Sequence, residues 1–229
     1  MSISENLSVV QSQVADAAEV AGRNLDEVTL ITVSKTWPVA VIEEAVAAGC
    51  RIFGENKVQE ILEKVPVMSP DLDWHLIGHL QKNKTRKVLP LCAMIHSVDS
   101  VALAQQIDRI AGELELKPEI LLQVNVADDD AKFGLAADEV EEIVEQVLQL
   151  SQVRLRGLMT VPAFDSDPEK VRPYFAKLRE LRDSIESSLD CSLPELSMGM
   201  SHDFPVAIEE GATLVRVGSA IFGARNYSK

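Results

Sequence analysis

The feature of this sequence that most constrains its fold is a regular alternation of short apolar strands with helical segments. Eight stretches are rich in β-branched and large apolar residues, and nearly every one precedes a stretch with apolar residues at three- and four-residue spacing. Strict alternation predicts parallel strands joined by right-handed crossovers. Eight such units close into a (β/α)8 barrel, so we predict an α/β protein with one TIM barrel. A doubly wound open sheet is disfavoured because no glycine-rich turn follows the first strand.

The predicted elements cover most of the chain. Strands are expected at 28–35, 50–56, 73–80, 94–98, 119–126, 154–161, 195–201 and 213–219. Helices are expected at 38–48, 57–65, 82–89, 101–114, 138–150, 167–189 and 205–210, with an extra helix in front at 4–21. Ser100 and Asp138 are candidate N-caps. The 229 residues leave no room for a second domain, so 1–229 is expected to form one domain.

The charge balance narrows the possible partners. The formal net charge is −14, from 36 acidic and 22 basic residues. This argues against nucleic acid and against an anionic membrane surface, both of which need a basic face. The three cysteines are widely spaced and form no CxxC pair. With no signal-peptide pattern or transmembrane-length segment, a reducing cytoplasm is the expected location.

A barrel carries its active site where the strands end, and one lysine stands there among mostly polar residues. Lys35 closes the first strand, a continuous apolar run typical of a strand buried on both faces. A lysine above dry residues loses its proton more readily, and a neutral amine can attack an aldehyde. The other strands end at Asn56, Gly78-His79, Ser97, Asn125, Met159-Thr160, Gly199-Met200-Ser201 and Arg216-Gly218-Ser219.

The last two strands end in residues suited to an anion. Barrels often bind phosphate with the loops after strands seven and eight and a short helix N-terminus. Here Met200-Ser201 precede a short helix opened by Pro205, and Gly218-Ser219 close the eighth strand. Glycines let backbone N–H groups approach an anion, and the two serines add hydroxyl donors. Tight turns are the alternative role for these glycines.

An arginine inside the last strand needs an acceptor, because a buried cation is costly. Arg216 shares the strand face of Gly218. It can pair with Glu55 inside the barrel, or it can donate to a ligand's ring nitrogen or phosphate. A lysine, a phosphate-type site and an arginine, with no nucleophile–histidine pair, together indicate pyridoxal 5′-phosphate (PLP) held as a Schiff base.

Six ordered sequence blocks carry a family resemblance over essentially the whole length. They are VSKTWP at Lys35, FGENKVQE at 53–60, WHLIGHLQKNK at 74–84, HSVDS at 96–100, RGLMTVPA at 156–163 and LSMGMSHDFPVAIEEGATLVRVGSAIFGAR at 196–225. With these blocks the chain resembles the YggS/PROSC family of PLP-binding proteins, the PLP homeostasis family.

The resemblance implies a barrel like the N-terminal domain of alanine racemase, with PLP bound covalently to Lys35. Arg216 would face the pyridine nitrogen and keep it unprotonated, which weakens the ring as an electron sink. The phosphate would be held by Ser201, Gly218 and Ser219 with backbone help near Met200, and Asn56 would lie close to the ring. Family members are associated with control of free PLP and of amino- and keto-acid balance, without an established reaction.

An amino-acid racemase and a metal-dependent hydrolase are the alternative functions for such a barrel. A racemase of similar fold uses a second acid/base, a tyrosine from an added domain, whereas the tyrosines here are Tyr174 and Tyr227. Catalytic turnover is therefore not the preferred function. A metal-dependent hydrolase is disfavoured because His75 and His79, four residues apart in a strand, would be roughly 13 Å apart. No metal is expected.

Two basic features leave partner binding open. Lys82, Lys84, Arg86 and Lys87 form a positive run, which either is solvated or docks a partner. Lys132 follows the fifth strand and is a candidate second, transient acceptor of the PLP aldehyde. PLP-dependent apoenzymes are possible partners, and a monomer is expected because no appended domain offers an oligomer surface.

Overall fold

A closed parallel barrel of eight strands forms the protein, and the computed structural model describes residues 1–127 and 133–223. The strand order is β4-β3-β2-β1-β9-β8-β7-β5, and a pairing of β4 with β5 closes the ring. The predicted TIM barrel is thereby confirmed. The barrel strands are β1 (Thr29–Val33), β2 (Ile52–Glu55), β3 (Asp73–Leu76), β4 (Met94–Val98), β5 (Glu119–Asn125), β7 (Arg154–Met159), β8 (Glu195–Met200) and β9 (Leu214–Val217). A two-residue strand, β6 (Leu135–Ala136), pairs with β5 outside the ring.

Helices surround this barrel. They are α1 (Ile3–Val20), α2 (Val39–Ala47), α3 (Val58–Lys64), α4 (Thr85–Val88), α5 (Val101–Glu113), α6 (Val140–Leu148), α7 (Arg172–Leu189), α8 (Phe204–Glu209) and α9 (Ser219–Phe222). The extra helix α1 begins with a capping box, in which the Ser2 hydroxyl accepts from the Glu5 N–H and the Glu5 carboxylate accepts from the Ser2 N–H. Across the described ranges, no helix combines the length and the hydropathy needed to span a membrane.

The apolar core has two parts. The larger part lies between the sheet and the helices and contains the fully buried Phe53, Phe175 and Phe204. A separate cluster consists of residues from five different strands: Ile31, Met94, Leu121, Met159 and Leu214. Since residues two apart on a strand share a face, this cluster fills the inside of the barrel below its mouth. The inside of the barrel therefore contains a packed apolar layer.

Several predicted elements differ from the structure. The first and the last strand end at Val33 and Val217, two residues before the predicted Lys35 and Ser219. The third strand ends at Leu76 and not at Leu80. Beyond it, Gly78 packs against the Asn56 carbonyl, where an added Cβ would lie 2.2 Å from the oxygen. Residues 82–89 divide into a 3-10 turn, Lys82–Lys84, and the single-turn α4. The Asp138 cap is wrong, since Glu139 holds the N-cap position of α6.

The long helix expected from Asp167 is also interrupted. Asp167 caps a 3-10 turn, Pro168–Lys170, and α7 begins only at Arg172. Ser100, in contrast, does accept the N–H of Leu103 and caps α5 as predicted. The helix α9, directly after the last strand, was not predicted because its four residues carry no periodic pattern.

One close approach between strands predicts a large effect of a small substitution. A Cβ at Gly157 on β7 would lie 1.8 Å from the carbonyl oxygen of Glu195 on β8. Gly157→Ala is therefore expected to lower the free energy of unfolding by about 1–3 kcal/mol or more in urea titrations. The matched control is Gly112→Ala on α5, where the added Cβ finds the Gln152 side chain at an ordinary 3.4 Å. The control is expected to raise stability by up to about 1 kcal/mol, since alanine favours helix. Equal effects of the two substitutions would contradict the packing described.

Candidate functional site

All seven predicted site residues line one cavity at the mouth of the barrel. The cavity has a volume of about 310 Å³. The predicted residues along its wall are Lys35, Asn56, Met200, Ser201, Arg216, Gly218 and Ser219. Six further residues complete the wall: Val33, Ile77, Val161, Phe164, His202 and Asp203. The structure thus brings together residues that are up to 184 positions apart in the sequence, from Lys35 to Ser219.

Lys35 lies two residues after the end of β1 and stands at one side of the cavity. The N–H of Ser34 bonds the carbonyl of Gly54 at 3.1 Å, so β1 keeps its alignment with β2 up to the residue before the lysine. Val33 lies below Lys35 on the same strand face and also lines the cavity. The lysine is half-buried, with an apolar wall beneath it.

The ends of β8 and β9 meet through the Ser201 hydroxyl. Its oxygen accepts the N–H of Gly218 at 3.0 Å and the N–H of Ala220 at 3.3 Å. These N–H groups therefore converge on one oxygen at the cavity wall. Gly199, with φ of +88°, allows this arrangement, because a Cβ there would lie 2.6 Å from the Cβ of Ala207 on α8. Ser201, Gly218 and Ser219, which were predicted to bind an anion, thus lie together at the cavity wall.

Asp203 is a cavity residue that the sequence analysis missed. Its Oδ1 accepts the N–H of Met200 at 2.6 Å, and its own N–H donates to the Met200 carbonyl at 3.1 Å. This buried carboxylate therefore holds the turn that presents Ser201. A signal existed in the sequence, because an aspartate two residues before Pro205 is typical of a helix start.

Arg216 lies inside the barrel and borders the cavity from below. It is only 4% exposed. One guanidinium nitrogen donates to the Thr160 carbonyl at 2.8 Å, and another donates to the Ser197 hydroxyl. Burial lowers the pKa of Arg216 to about 10, although the negative charge of Asp203 opposes that change. The guanidinium therefore remains cationic at neutral pH.

The alternative pairing of Arg216 with Glu55 is wrong. Glu55 bonds Lys64 and Ser34 instead, each at 2.7 Å. Its neighbour Gly54 is aligned with Val33, which faces the cavity, so Glu55 faces the helices. The two side chains lie on opposite faces of the sheet.

Two histidines inside the barrel extend the hydrogen-bond chain of Arg216. Nδ1 of His96 lies 2.8 Å from the Ser197 hydroxyl, and Nε2 of His96 lies 2.9 Å from Nδ1 of His75. Burial lowers the pKa of His75 to about 4. Burial lowers the pKa of His96 well below its usual value, and the nearby His75 and the positive charge of Arg216 act in the same direction. Both rings are neutral at pH 7, so each can donate and accept one hydrogen bond in this chain.

The remaining candidate residues lie apart from one another. His79 is at the rim, 3.1 Å from Asp99 and stacked on Phe133, whereas His75 is inside the barrel. Among the described residues, no group of three or more His, Cys, Asp or Glu side chains is arranged to hold a metal ion. Tyr174 lies on α7. Lys132 and Tyr227 lie outside the described residues.

The buried histidine pair predicts a specific loss of stability in mild acid. A histidine in the unfolded chain has a pKa of about 6.5. Between this value and about 4 for His75, the unfolded chain binds more protons than the folded protein. The free energy of unfolding should therefore fall as the pH drops below 6.5, by about 1.4 kcal/mol per pH unit for each histidine.

Urea titrations between pH 7 and pH 5 check this expectation. His75→Gln should weaken the pH dependence, since the contribution of one of the two buried histidines is lost. The control Ser8→Ala, at an exposed serine of α1, removes no titratable group and should leave the dependence as in the wild type. A free energy of unfolding that stays constant from pH 7 to pH 5 would contradict the buried, neutral pair.

Comparison with known proteins shows close relatives over the full length. The alanine racemase N-terminal domain family matches residues 6–226. A pyridoxal phosphate homeostasis protein of Aquifex aeolicus is 44% identical, over 99% of this chain and 100% of the relative. The protein of the same name from Escherichia coli is 39% identical, over 99% of this chain and 98% of the relative.

Two solved structures are also similar to this chain, one in sequence and fold and one in fold alone. PipY of Synechococcus elongatus with PLP bound has a TM-score of 0.87 and 42% identity, covering 96% of this chain and 100% of PipY. Alanine racemase of Clostridium difficile has a TM-score of 0.73 but 14% identity, over 60% of the racemase, and shares the fold alone. The resemblance seen in the sequence is thereby confirmed: this chain belongs to the pyridoxal phosphate homeostasis protein family, within the alanine racemase N-terminal domain family.

Proposed function

We propose that this protein binds PLP in the mouth of the barrel, with a Schiff base to Lys35, and acts in PLP homeostasis and in the balance of amino and keto acids. The observation that carries the proposal is the shared cavity, whose wall combines Lys35, the buried Arg216 and the Ser201–Gly218 corner. PLP bound to a relative with 42% identity supports it. In this proposal the whole chain, 1–229, acts as one binding domain.

The residues of the cavity fit the three chemical parts of PLP. A volume of about 310 Å³ suits a small aromatic ligand rather than a large one. The phosphate is assigned to Ser201, Gly218 and Ser219 with the backbone at Met200, because the Ser201 oxygen holds the N–H groups of Gly218 and Ala220 at the cavity wall and its own O–H can donate to an anion. The aldehyde end then points across the mouth to Lys35, where the Nζ amine would add to the aldehyde carbon and the carbonyl oxygen would leave as water.

Arg216 determines what the ring can do. Its guanidinium has no acceptor capacity and stays charged, so a ring nitrogen beside it would accept a hydrogen bond and remain unprotonated. PLP supplies an electron sink for amino-acid chemistry, and this sink is strongest when the nitrogen is protonated. Asn56, at the end of β2, would lie beside the ring. A binding role therefore fits this chain better than efficient catalysis.

A racemase-like enzyme is the alternative function. The shared fold at 14% identity does not by itself support it. Tyr174 lies on α7 and is not among the residues that line the cavity. Racemisation of amino acids by the PLP-loaded protein at metabolic rates would overturn the preference for a binding role.

Removal of Lys35 tests the covalent link. The purified protein with PLP is expected to show a visible absorption band, and Lys35→Ala is expected to lose it because the amine proposed for the stable link is gone. The matched control is Lys87→Ala on α4, an exposed lysine, which should keep the band at full strength. A full-strength band in Lys35→Ala would contradict the proposal.

Removal of the Ser201 hydroxyl tests the phosphate assignment. Ser201→Ala should weaken PLP binding by about tenfold, the value of one hydrogen bond to a charged group. Binding of pyridoxal, which lacks the phosphate, should change by less than about twofold. Ser8→Ala, at an exposed serine of α1, serves as the control. Equal weakening of both ligands would place the phosphate elsewhere. Titration of ligand binding by fluorescence gives both values.

A further inference from the structure

A group of three charged side chains, two of them buried, lies on the outer face of the barrel, between β2 and α3. We call Glu55, Glu60 and Lys64 the Lys64 cluster. The Lys64 ammonium donates to Glu55 at 2.7 Å, to Glu60 at 2.6 Å and to the carbonyl of Ser34 at 3.0 Å. The Lys64 side chain is 8% exposed and that of Glu55 is 0% exposed. All three donors of the ammonium are therefore used inside the protein.

This cluster contacts the backbone on both sides of Lys35. Before the lysine, the Ser34 hydroxyl donates to Glu55 at 2.7 Å while the Ser34 carbonyl accepts from Lys64. After the lysine, the N–H of Thr36 donates to Glu60 at 2.6 Å. Each of these bonds involves a charged group, and such bonds are stronger than neutral ones. The residue proposed to hold PLP is thus bracketed by charge-assisted hydrogen bonds.

The backbone at Thr36 needs such support. Its φ of +69° lies in the left-handed region, which a β-branched residue rarely occupies. Conformations of this kind persist only where the surroundings determine them, and they concentrate at functional sites. The bond from Thr36 to Glu60 fixes the residue in this conformation. The chain consequently turns sharply just after Lys35.

The protonation of the carboxylates agrees with this arrangement. Burial alone would raise the pKa of Glu60, but the bonds from Lys64 and from the Thr36 N–H outweigh burial and lower it. Burial raises the pKa of Glu55, although Lys64 and Ser34 oppose that change. Glu60 therefore accepts the Thr36 N–H as a carboxylate. Burying such a group is a poor way to gain stability alone, which favours a positioning role.

We propose that the Lys64 cluster positions Lys35, and that it does so by fixing the backbone at Ser34 and Thr36 so that the amine reaches the cavity. This proposal rests on the proposed function, since it assigns residues that serve the Schiff base. It also gives a role to the two carboxylates of the block at 53–60, Glu55 and Glu60. The cluster does not line the cavity, so its members act through Lys35 and not on the ligand.

A double-mutant cycle with Lys35 tests the proposal. PLP affinity is measured for the wild type and Glu60→Ala, each with Lys35 and with Lys35→Ala. Glu60→Ala is expected to weaken PLP binding by about tenfold or more when Lys35 is present, the value of a bond to a charged group. In the Lys35→Ala background the same change should cost less than about twofold, because noncovalent binding does not need the positioned amine.

Two further variants separate positioning from general damage. Glu60→Gln keeps an oxygen that can accept the Thr36 N–H, so it should recover part of the lost affinity. Glu63→Ala, on the same helix, removes a side chain whose partner is the exposed Gln59 at 2.9 Å, and it should behave as the wild type. Equal losses from Glu60→Ala in both Lys35 backgrounds, or no loss in either, would overturn the proposal.

A measurement without ligand completes the test. Hydrogen exchange at the Thr36 amide should be at least about tenfold faster in Glu60→Ala than in Glu63→Ala, because its acceptor is gone. Unchanged exchange would overturn the proposed positioning. A wild type that binds no PLP, or that binds it no better than Lys35→Ala, would instead contradict the proposed function. In that case, faster exchange in Glu60→Ala would still show that Glu60 accepts a hydrogen bond from the Thr36 amide.

Discussion

The pairing of the first barrel strand with the last is the interaction on which the site depends. β1 and β9 run parallel, with Ile31 aligned to Arg216 and Thr32 to Val217. This register places the end of β1, and Lys35 after it, beside Gly218 and Ser219. β2 and β8 flank the pair and add Asn56 on one side and Ser201 on the other. A slip of one residue would turn Arg216 out of the barrel and separate these groups.

A protein with a net charge of −14 can still offer an anion a positive site, because the potential is local. Arg216 is buried and satisfied by Thr160 and Ser197, and its charge is not neutralised by a directly bonded carboxylate in the described structure. The histidines behind it stay neutral, so they support the guanidinium without adding charge to the interior. On the other face of the sheet, the Lys64 cluster holds the corner at Lys35. The Arg216 guanidinium and the backbone at Lys35 are thus both held in place by hydrogen bonds outside the cavity.

The repeating pattern was enough to predict the fold, since alternation of strands and helices leaves few topologies. Lys35 and Ser201 could be named because strand ends meet at a barrel mouth whatever the details of packing. For Asp203 the sequence indicates a helix start but not the bond to Met200, and it does not indicate the Lys64 cluster, because these partners are set by the exact direction of side chains. Glu55 is an example. The sequence places it in the second strand, but only the strand register shows that its side chain faces Lys64 and not Arg216.

The ends of some helices and strands were also predicted wrongly. The third strand stops at Leu76, and beyond it Gly78 closely approaches Asn56 at the end of the neighbouring strand. The cap of α6 moved from Asp138 to Glu139, within the error of any local pattern. Such features depend on tertiary contacts, whereas hydrophobic periodicity reports only which residues are buried.

Peptide mapping after borohydride reduction of the PLP-loaded protein tests the central claim most directly. Reduction turns a Schiff base into a stable amine, so the cofactor's mass stays on the residue that held it. We expect that mass on the peptide containing Lys35. A reduced protein in which this peptide keeps its unlabelled mass would contradict the account.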